Sequence, residues 1–250
     1  MTEPLIGKNC NISDSVKIYG NVEIEDNVVI SDYCILGSDE KNDKYKTIIK
    51  KNSKIFSHSI IHSDVSIGEN SIIGHHTLIR EKTIIENDVQ IGSYSDIEGN
   101  VKIEKFVKLH SNVHIGQHSH LMCFSYLFPY TILTNDPIPP SNLRMGVTIE
   151  PFAVICTRST ILPGKKIGFG SFVGANSLVN KDLNSETIGS GNPFKQRGSI
   201  SLLKDPVNNN NAYPWAGRFD KNYPKNIKDI YKEMRKKFII LLLPLFFLMS

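Results

Sequence analysis

The sequence is poor in the features that mark several protein classes. Its four cysteines lie far apart and form no Cys-x-x-Cys pair; they are Cys10, Cys34, Cys123 and Cys156. This spacing argues against a disulfide framework and a zinc ribbon, and we expect reduced cysteines in a cytoplasmic chain. The charged fraction is 22% and the net charge is only +4. That balance is too mild to predict nucleic-acid binding.

Targeting and membrane-spanning signals are also scarce. The first ten residues have neither a basic start nor an apolar stretch, so no signal peptide is expected. The longest apolar run, residues 238–249, contains Pro244 and is shorter than the roughly 20 residues that span a bilayer. A transmembrane helix is therefore not predicted.

What the sequence does contain is a period of six. An aliphatic residue recurs every sixth position from Ile6 to Leu36, from Ile49 to Leu133 and from Ile149 to Val179, which makes 27 positions. A small or β-branched residue usually stands two positions earlier, as Val65 and Ser71 do. Neither the 3.6-residue period of a helix nor the simple alternation of a strand produces this spacing.

The period predicts an all-β fold, a left-handed parallel β-helix of hexapeptide repeats. Each hexapeptide forms a short strand and a turn, and three of them close a triangular coil, so the repeats build about nine coils. Glycine often follows the aliphatic residue, as in Ile67-Gly68 and Ile91-Gly92. We expect this glycine to supply the positive φ of a tight corner. A β-sandwich with alternating strands is the disfavoured alternative.

Two interruptions and an extension divide the pattern. Residues 37–48 leave the period by one residue and predict a surface loop. Residues 134–146 contain three prolines, which donate no ladder hydrogen bond, and predict a larger loop. We assign residues 1–200 to the β-helix and residues 201–250 to an extension with an aromatic segment, a helix from Ile227 and an apolar tail.

The extension joins a basic cluster to its apolar run. The cluster consists of Lys232, Arg235, Lys236 and Lys237. Basic residues beside an apolar segment predict peripheral contact with an anionic membrane, here at its inner face. Burial against the protein, or a span cut short by the end of the chain, fits the same residues.

The repeats and three further segments resemble the hexapeptide-repeat acyltransferase family. The segments are Thr134-Asn135-Asp136, residues 161–183 and residues 191–197, so the resemblance covers about residues 1–200. The nearest branch is the sugar N- and O-acetyltransferases, many of which modify nucleotide-linked amino sugars for surface polysaccharides. The resemblance implies an acetyl-CoA-dependent homotrimer with the acyl donor between neighbouring subunits.

The chain departs from the amino-sugar enzymes in two places. Pro139-Pro140-Ser141 stands where an arginine commonly follows a single proline, and Asn112 stands where a histidine is common. These departures leave the acceptor open.

Acyl transfer needs a base and hydrogen-bond donors to the oxyanion. Asp136 follows His118 by one coil of 18 residues. We predict that His118 is the base, held by Asp136, and that Asn135 donates to the substrate or the oxyanion. The alternatives are a solvated histidine beside a turn, or transfer without a side-chain base. His58 and His76, also one coil apart, predict a surface ladder.

The resemblance also implies residues that hold the acyl donor. Backbone amides near Gly174 and Ala175 would meet the pantetheine arm, and Lys181, Lys195 and Arg197 would meet the phosphates. A solvated basic surface is the alternative.

Two rival functions use the same scaffold. A γ-type carbonic anhydrase would need two zinc-binding histidines five residues apart, but the close pairs here lie four, six or eight apart, so no metal is expected. A non-catalytic assembly scaffold needs neither the loop at 134–146 nor the donor-binding segment. The sequence therefore favours an acetyltransferase acting on a sugar.

Overall fold

The computed structural model describes residues 3–37, 45–218 and 223–240, the last of these without its side chain. Short strands, numbered along the chain, visit three sheets in turn. Sheet A contains β1 (Leu5–Ile6), β4 (Asn21–Ile24), β7 (Lys46–Ile49), β10 (Val65–Ile67), β13 (Thr83–Ile85), β16 (Lys102–Ile103), β19 (His120–Leu121), β22 (Thr148–Ile149) and β25 (Lys166–Ile167).

Sheet B is the longest and ends in a hairpin. Its strands are β2 (Asn11–Ile12), β5 (Val29–Ile30), β8 (Lys54–Ile55), β11 (Ile72–Ile73), β14 (Gln90–Ile91), β17 (Lys108–Leu109), β20 (Tyr126–Leu127), β23 (Val154–Ile155), β26 (Phe172–Val173), β28 (Thr187–Ser190) and β29 (Lys195–Ser199). Sheet C contains β3 (Lys17–Ile18), β6 (Ile35–Leu36), β9 (Ile60–Ile61), β12 (Leu78–Ile79), β15 (Asp96–Ile97), β18 (His114–Ile115), β21 (Ile132–Leu133), β24 (Thr160–Ile161) and β27 (Leu178–Val179).

The sheets form a parallel β-helix in which each strand pairs with the strand one coil later. Ile91, for example, pairs with Ile73 below and Leu109 above. Each of the 27 aliphatic repeat positions is the last residue of one of the strands β1 to β27. A tenth coil begins where β28 pairs in parallel with β26. The fold class predicted from the repeat is confirmed.

The core is a stack of aliphatic side chains lined by small polar ones. Ile55 and Ile73 are fully buried, and so are Ser53 and Ser59. The two serine hydroxyls donate to the carbonyl oxygens of Gly68 and Gly74, each at 2.8 Å. A buried hydroxyl is tolerated because it is hydrogen-bonded, which explains serine two positions before the aliphatic residue.

The predicted role of the glycines is wrong. Positive φ occurs three residues after the aliphatic position, at residues such as Asn52 and His58, and not at Gly68 or Gly92. A Cβ on Gly92 would lie 2.5 Å from the carbonyl carbon of His110 in the next coil. Glycine there permits close approach between coils.

The corner residues with positive φ form ladders from coil to coil. The rings of His58 and His76 stack at 4.7 Å, as the sequence predicts. Tyr33 and Tyr94 extend this ladder at 5.1 and 4.9 Å. Stacking at equivalent corners contributes to holding the coils in register.

The first interruption is shorter than predicted. Residues 38–44 lie outside the described part of the chain, but Lys46 to Ile49 form strand β7. β7 pairs with β4 over four residues, with Ile24 opposite Ile49. The extra residue is therefore absorbed before residue 46, and the inward positions resume at once.

The extension packs along the side of the β-helix. The rings of Phe106, Phe124 and Phe152 form a ladder at the corner between sheets A and B. Trp215, in a 3₁₀ turn (Trp215–Gly217), donates from its indole nitrogen to the carbonyl oxygen of Phe152 at 2.9 Å. Another 3₁₀ turn (Ile200–Leu202) follows β29. The aromatic segment thus covers an apolar corner.

The predicted C-terminal helix is confirmed as α1 (Ile227–Arg235), which continues into a π-helical turn (Lys236–Ile240). Arg235 binds the Glu186 carboxylate through two nitrogens, at 2.5 and 2.6 Å. None of the helices in the described residues is long and apolar enough to cross a membrane. Most of the predicted apolar tail, residues 241–250, lies outside the described residues.

Candidate active site

A histidine lies between two carboxylates on the outer face of sheet C. Side chains alternate along a strand, so His114, which precedes the buried Ile115, faces outward, and Asp96 lies one coil below it. The His114 Nδ1 atom is 3.4 Å from Asp96 Oδ2, and its Nε2 atom is 3.4 Å from Glu98 Oε1. Both ring nitrogens therefore face an acidic oxygen.

Glu98 joins this histidine to the loop that follows β21. Its Oε2 atom accepts a hydrogen bond from the Asn135 side-chain amide at 2.5 Å and one from the Gln117 backbone N–H at 3.2 Å. Its other oxygen faces His114. One carboxylate thereby fixes a titratable side chain and a loop residue relative to each other.

The two carboxylates change the proton affinity of the imidazole. The hydrogen bond to Asp96 raises the pKa of His114, partial burial opposes that effect, and the negative charges of Asp96 and Glu98 add to it. A positive charge on His114 is consequently stabilised. Such a histidine is a stronger base than an isolated one.

Asp136 organises the loop itself. Its carboxylate accepts hydrogen bonds from the Ser141 hydroxyl at 2.6 Å, the Ser141 amide at 2.9 Å and the Ile138 amide at 3.1 Å, and Arg144 lies 3.5 Å away. The Ser141 hydroxyl is the main reason that the pKa of Asp136 lies below its usual value. The Asn135 carbonyl accepts from the Met145 amide at 2.8 Å, which closes the loop.

His118 lies at the corner beneath the loop but outside this network. Its side chain is exposed, and in the described chain no hydrogen bond or ion pair joins it to Asp136. A Cβ on Gly146 would lie 1.9 Å from the His118 carbonyl oxygen, so the loop returns directly over the His118 backbone. The roles of His118, Asn135 and Asp136 stay predictions, and of these three only Asn135 contacts the histidine–carboxylate network.

His114 was missed by the reasoning from sequence, although the sequence carries a signal for it. Asp96 precedes it by one coil of 18 residues, and Glu98 by 16. The coil counting that connects His118 with Asp136 also places an acidic residue directly beneath His114.

A second histidine–carboxylate pair lies on sheet A. His120 Nε2 is 2.8 Å from Glu104 Oε1, and the Cys123 amide donates to Glu104 Oε2 at 3.0 Å. The hydrogen bond from His120 is the largest of the effects that lower the pKa of Glu104 to about 2. This pair has no described contact with the loop.

The predicted donor-binding segment lies at the C-terminal end of the β-helix. The Gly174 amide already donates to the Gly189 carbonyl at 2.9 Å, whereas the exposed Ala175 amide has no partner among the described residues. A Cβ on Gly174 would lie 2.9 Å from Ser190 Cβ. Arg197 Nε donates to Ser190 Oγ at 3.0 Å, so the structure brings Arg197 close to Gly174.

The two predicted lysines are exposed. Lys181 follows β27, and Lys195 begins β29 in the hairpin that Phe194 anchors by burial. Neither forms an ion pair within the described ranges. β27 and β18, the strand of His114, are three strands apart in sheet C, a separation of about 14 Å.

The repeat is found in known proteins. The family model described as bacterial transferase hexapeptide (six repeats) matches residues 3–38, 46–81 and 82–117. These ranges contain the coils that carry Asp96, Glu98 and His114. The chain belongs to this hexapeptide-repeat family.

Two curated relatives of this hexapeptide-repeat chain are chloramphenicol acetyltransferases. The protein of Escherichia coli is 32% identical over 101 residues, which cover 36% of this chain and 48% of that protein. The protein of Klebsiella aerogenes is 33% identical over 86 residues, covering 32% and 41%. The chain thus spans less than half the length of these relatives.

Among solved structures, the fold is similar to that of a UDP-N-acetylglucosamine acyltransferase from Bacteroides fragilis. The TM-score is 0.52 at 17% sequence identity, and the match covers 94% of this chain and 84% of the other. At this identity the similarity supports the fold alone. Within the described residues, no cluster of three His, Cys, Asp or Glu side chains is arranged to hold a metal ion.

Proposed function

We propose that the protein transfers an acetyl group from acetyl-CoA to an amino or hydroxyl group of a sugar, with a nucleotide-linked amino sugar as the acceptor class. The observation that carries this proposal is the contact of His114 with Asp96 and Glu98, together with the hydrogen bond from Asn135 to Glu98. Membership of the transferase hexapeptide family and the acetyltransferase activity named for the two relatives support it.

In the proposed reaction His114 is the general base. As the acceptor nitrogen or oxygen attacks the thioester carbonyl, its proton passes to the imidazole. Asp96 and Glu98 stabilise the imidazolium that forms. When the tetrahedral intermediate collapses, the carbon–sulfur bond breaks, and the departing CoA thiolate takes the proton from His114.

The loop contributes hydrogen-bond donors. A side-chain amide has two N–H groups, and Asn135 uses one of them on Glu98. We assign the second to the substrate or the oxyanion. Asp136 keeps the loop in shape through Ser141. His118 is the competing candidate for the base.

Acetyl-CoA would extend along sheet C toward the hairpin. The unpaired Ala175 amide suits a pantetheine carbonyl, and the absence of a side chain at Gly174 leaves room beside Ser190. We assign the phosphates to Arg197, Lys195 and Lys181. Because the Gly174 amide is engaged by Gly189, its contribution is space and not a hydrogen bond.

We further propose a homotrimer in the cytoplasm. The loop side chains of Ile138 and Leu143 are 75% and 55% exposed, and Ile132 on sheet C is also exposed. Exposed apolar groups of this kind fit contact with a neighbouring subunit. Peripheral membrane contact would use Lys236 and the residues after it, since Arg235 is engaged by Glu186.

The test is an acceptor screen with the full-length protein. Acetyl-CoA is incubated with nucleotide amino sugars, free amino sugars and chloramphenicol, which is included because of the two relatives, and free CoA thiol is measured. We expect thiol release that depends on one acceptor and is lost in His114→Gln. No release with any acceptor, together with no acetyl-CoA binding by titration, would favour the assembly scaffold.

A further inference from the structure

A cavity separate from the acyl-transfer site lies beneath the extension. It has a volume of about 510 Å³ and opens between the hairpin β28–β29 and helix α1. This volume is in the range of small-molecule sites, roughly 300–1,000 Å³. His114 lies on sheet C, whereas this cavity is walled by the end of sheet B and by the extension.

Aromatic and aliphatic side chains form one wall of the cavity. Ile200, Ala216 and Tyr231 contribute to it, and each is buried. Tyr213 lines the cavity as well, and its ring is held edge-on against Phe172 with 5.3 Å between the centroids. A rigid wall with two tyrosine rings fits a flat, partly apolar ligand.

The rim of the cavity is positively charged. Lys228, Lys232 and Arg235 reach it from one face of α1. Glu186 is the only carboxylate among the described lining residues, and Arg235 already binds it. Lys228 forms no ion pair with any described residue, and Lys232 has only a distant, exposed contact with Asp229 at 3.6 Å. The uncompensated charge favours an anion.

Polar groups complete the lining. Ser199 and Ser201 are hydrogen-bonded to each other at 3.0 Å. Asn211 accepts from Lys204 through its carbonyl oxygen, which leaves its amide N–H groups to donate. Hydroxyl and amide groups beside tyrosine rings suit a heterocycle or a sugar better than an alkyl chain.

We propose that this cavity binds a nucleoside phosphate, with the nucleoside against Tyr213 and Tyr231 and the phosphate at Lys228 and Lys232. The ligand is either a free nucleotide or the nucleotide end of a larger molecule such as CoA. The site does not depend on the proposed acetyl transfer, because none of its residues belongs to the His114 network.

The experiment measures ADP binding to the full-length protein by calorimetry. Lys228→Glu should weaken binding at least about tenfold, as loss of a charge-assisted hydrogen bond does. Lys236→Glu is the matched control, because Lys236 is an exposed cation of the same extension outside the cavity. Gly217→Phe should abolish saturable binding by filling the cavity, since a Cβ there meets nothing closer than Lys228 Cε at 3.9 Å.

Two outcomes would overturn the proposal. One is the absence of saturable ADP binding to the wild-type protein below about 1 mM. The other is equal weakening by Lys228→Glu and Lys236→Glu. Competition between ADP and CoA that is lost in Lys228→Glu would identify the ligand as the nucleotide end of CoA, and independent binding would identify a free nucleotide. His114→Gln should leave ADP affinity unchanged.

Discussion

Replacing His114 by glutamine should remove catalysis without unfolding the protein. A positioned general base contributes roughly 10²- to 10⁴-fold to the rate, so kcat/KM should fall by about that factor. The side chain lies on the outer face of β18, and glutamine keeps an amide that can still donate to Asp96 or Glu98. The melting temperature should therefore change little.

The pH dependence of this reaction has a predicted sign. The hydrogen bond with Asp96 and the charges of Asp96 and Glu98 raise the pKa of His114, and a base acts only when it is neutral. The acidic limb of kcat/KM should accordingly lie above the ordinary histidine pKa of 6.5 and move to lower pH in Asp96→Asn. The pair stabilises the fold below pH 6.5 and loses that contribution as the pH rises through the raised pKa.

His118→Gln is the matched control, because His118 is an exposed histidine only four residues away. The assay is CoA thiol release at saturating acceptor, repeated from about pH 5 to pH 9. We expect His118→Gln to retain activity within about threefold. Loss of activity in His118→Gln but not in His114→Gln would refute the assignment of the base, and so would an acidic limb that Asp96→Asn leaves in place.

Three further predictions concern stability. Ile91→Asp should abolish the soluble fold because Ile91 is 2% exposed between Ile73 and Leu109, whereas Gln90→Asp on the same strand should not; circular dichroism that shows a folded Ile91→Asp would contradict the inward assignment. Glu104→Gln should cost on the order of 2–3 kcal/mol near pH 7, and the difference from wild type in urea unfolding should vanish as the pH falls from 4.5 toward 2; a constant difference would exclude the pair with His120. Glu186→Ala should make the extension more sensitive to limited proteolysis while residues 3–199 stay resistant, because the Arg235 pair is lost; unchanged cleavage would show that aromatic packing alone holds it.

The repeat made the core predictable. A hexapeptide strand buries its last residue, so the aliphatic positions from Ile24 to Val179 could be assigned inward from the sequence. The first coil differs because no coil covers it, and Ile6 is 52% exposed. The role of Gly92 could not be derived from the period, since it depends on how closely His110 in the next coil approaches.

The candidate site was only partly predictable. Asn135 was selected through the loop, and the structure places it on Glu98. The preference for His118 followed from counting one coil to Asp136, but the Asp136 carboxylate is satisfied locally by Ser141. Side-chain direction within a turn does not follow from coil spacing, whereas the strand residue His114 has a partner that the spacing does specify.

The most direct test of the proposed function is transfer of a labelled acetyl group. Full-length protein is incubated with acetyl-CoA carrying an isotope in the acetyl carbonyl and with a nucleotide amino sugar, and the sugar is analysed by mass spectrometry. We expect labelled acetyl sugar and free CoA in equal amounts with the wild-type protein, and neither above background with His114→Gln. Thiol release without labelled sugar, or equal labelling by both proteins, would contradict acetyl transfer by this site.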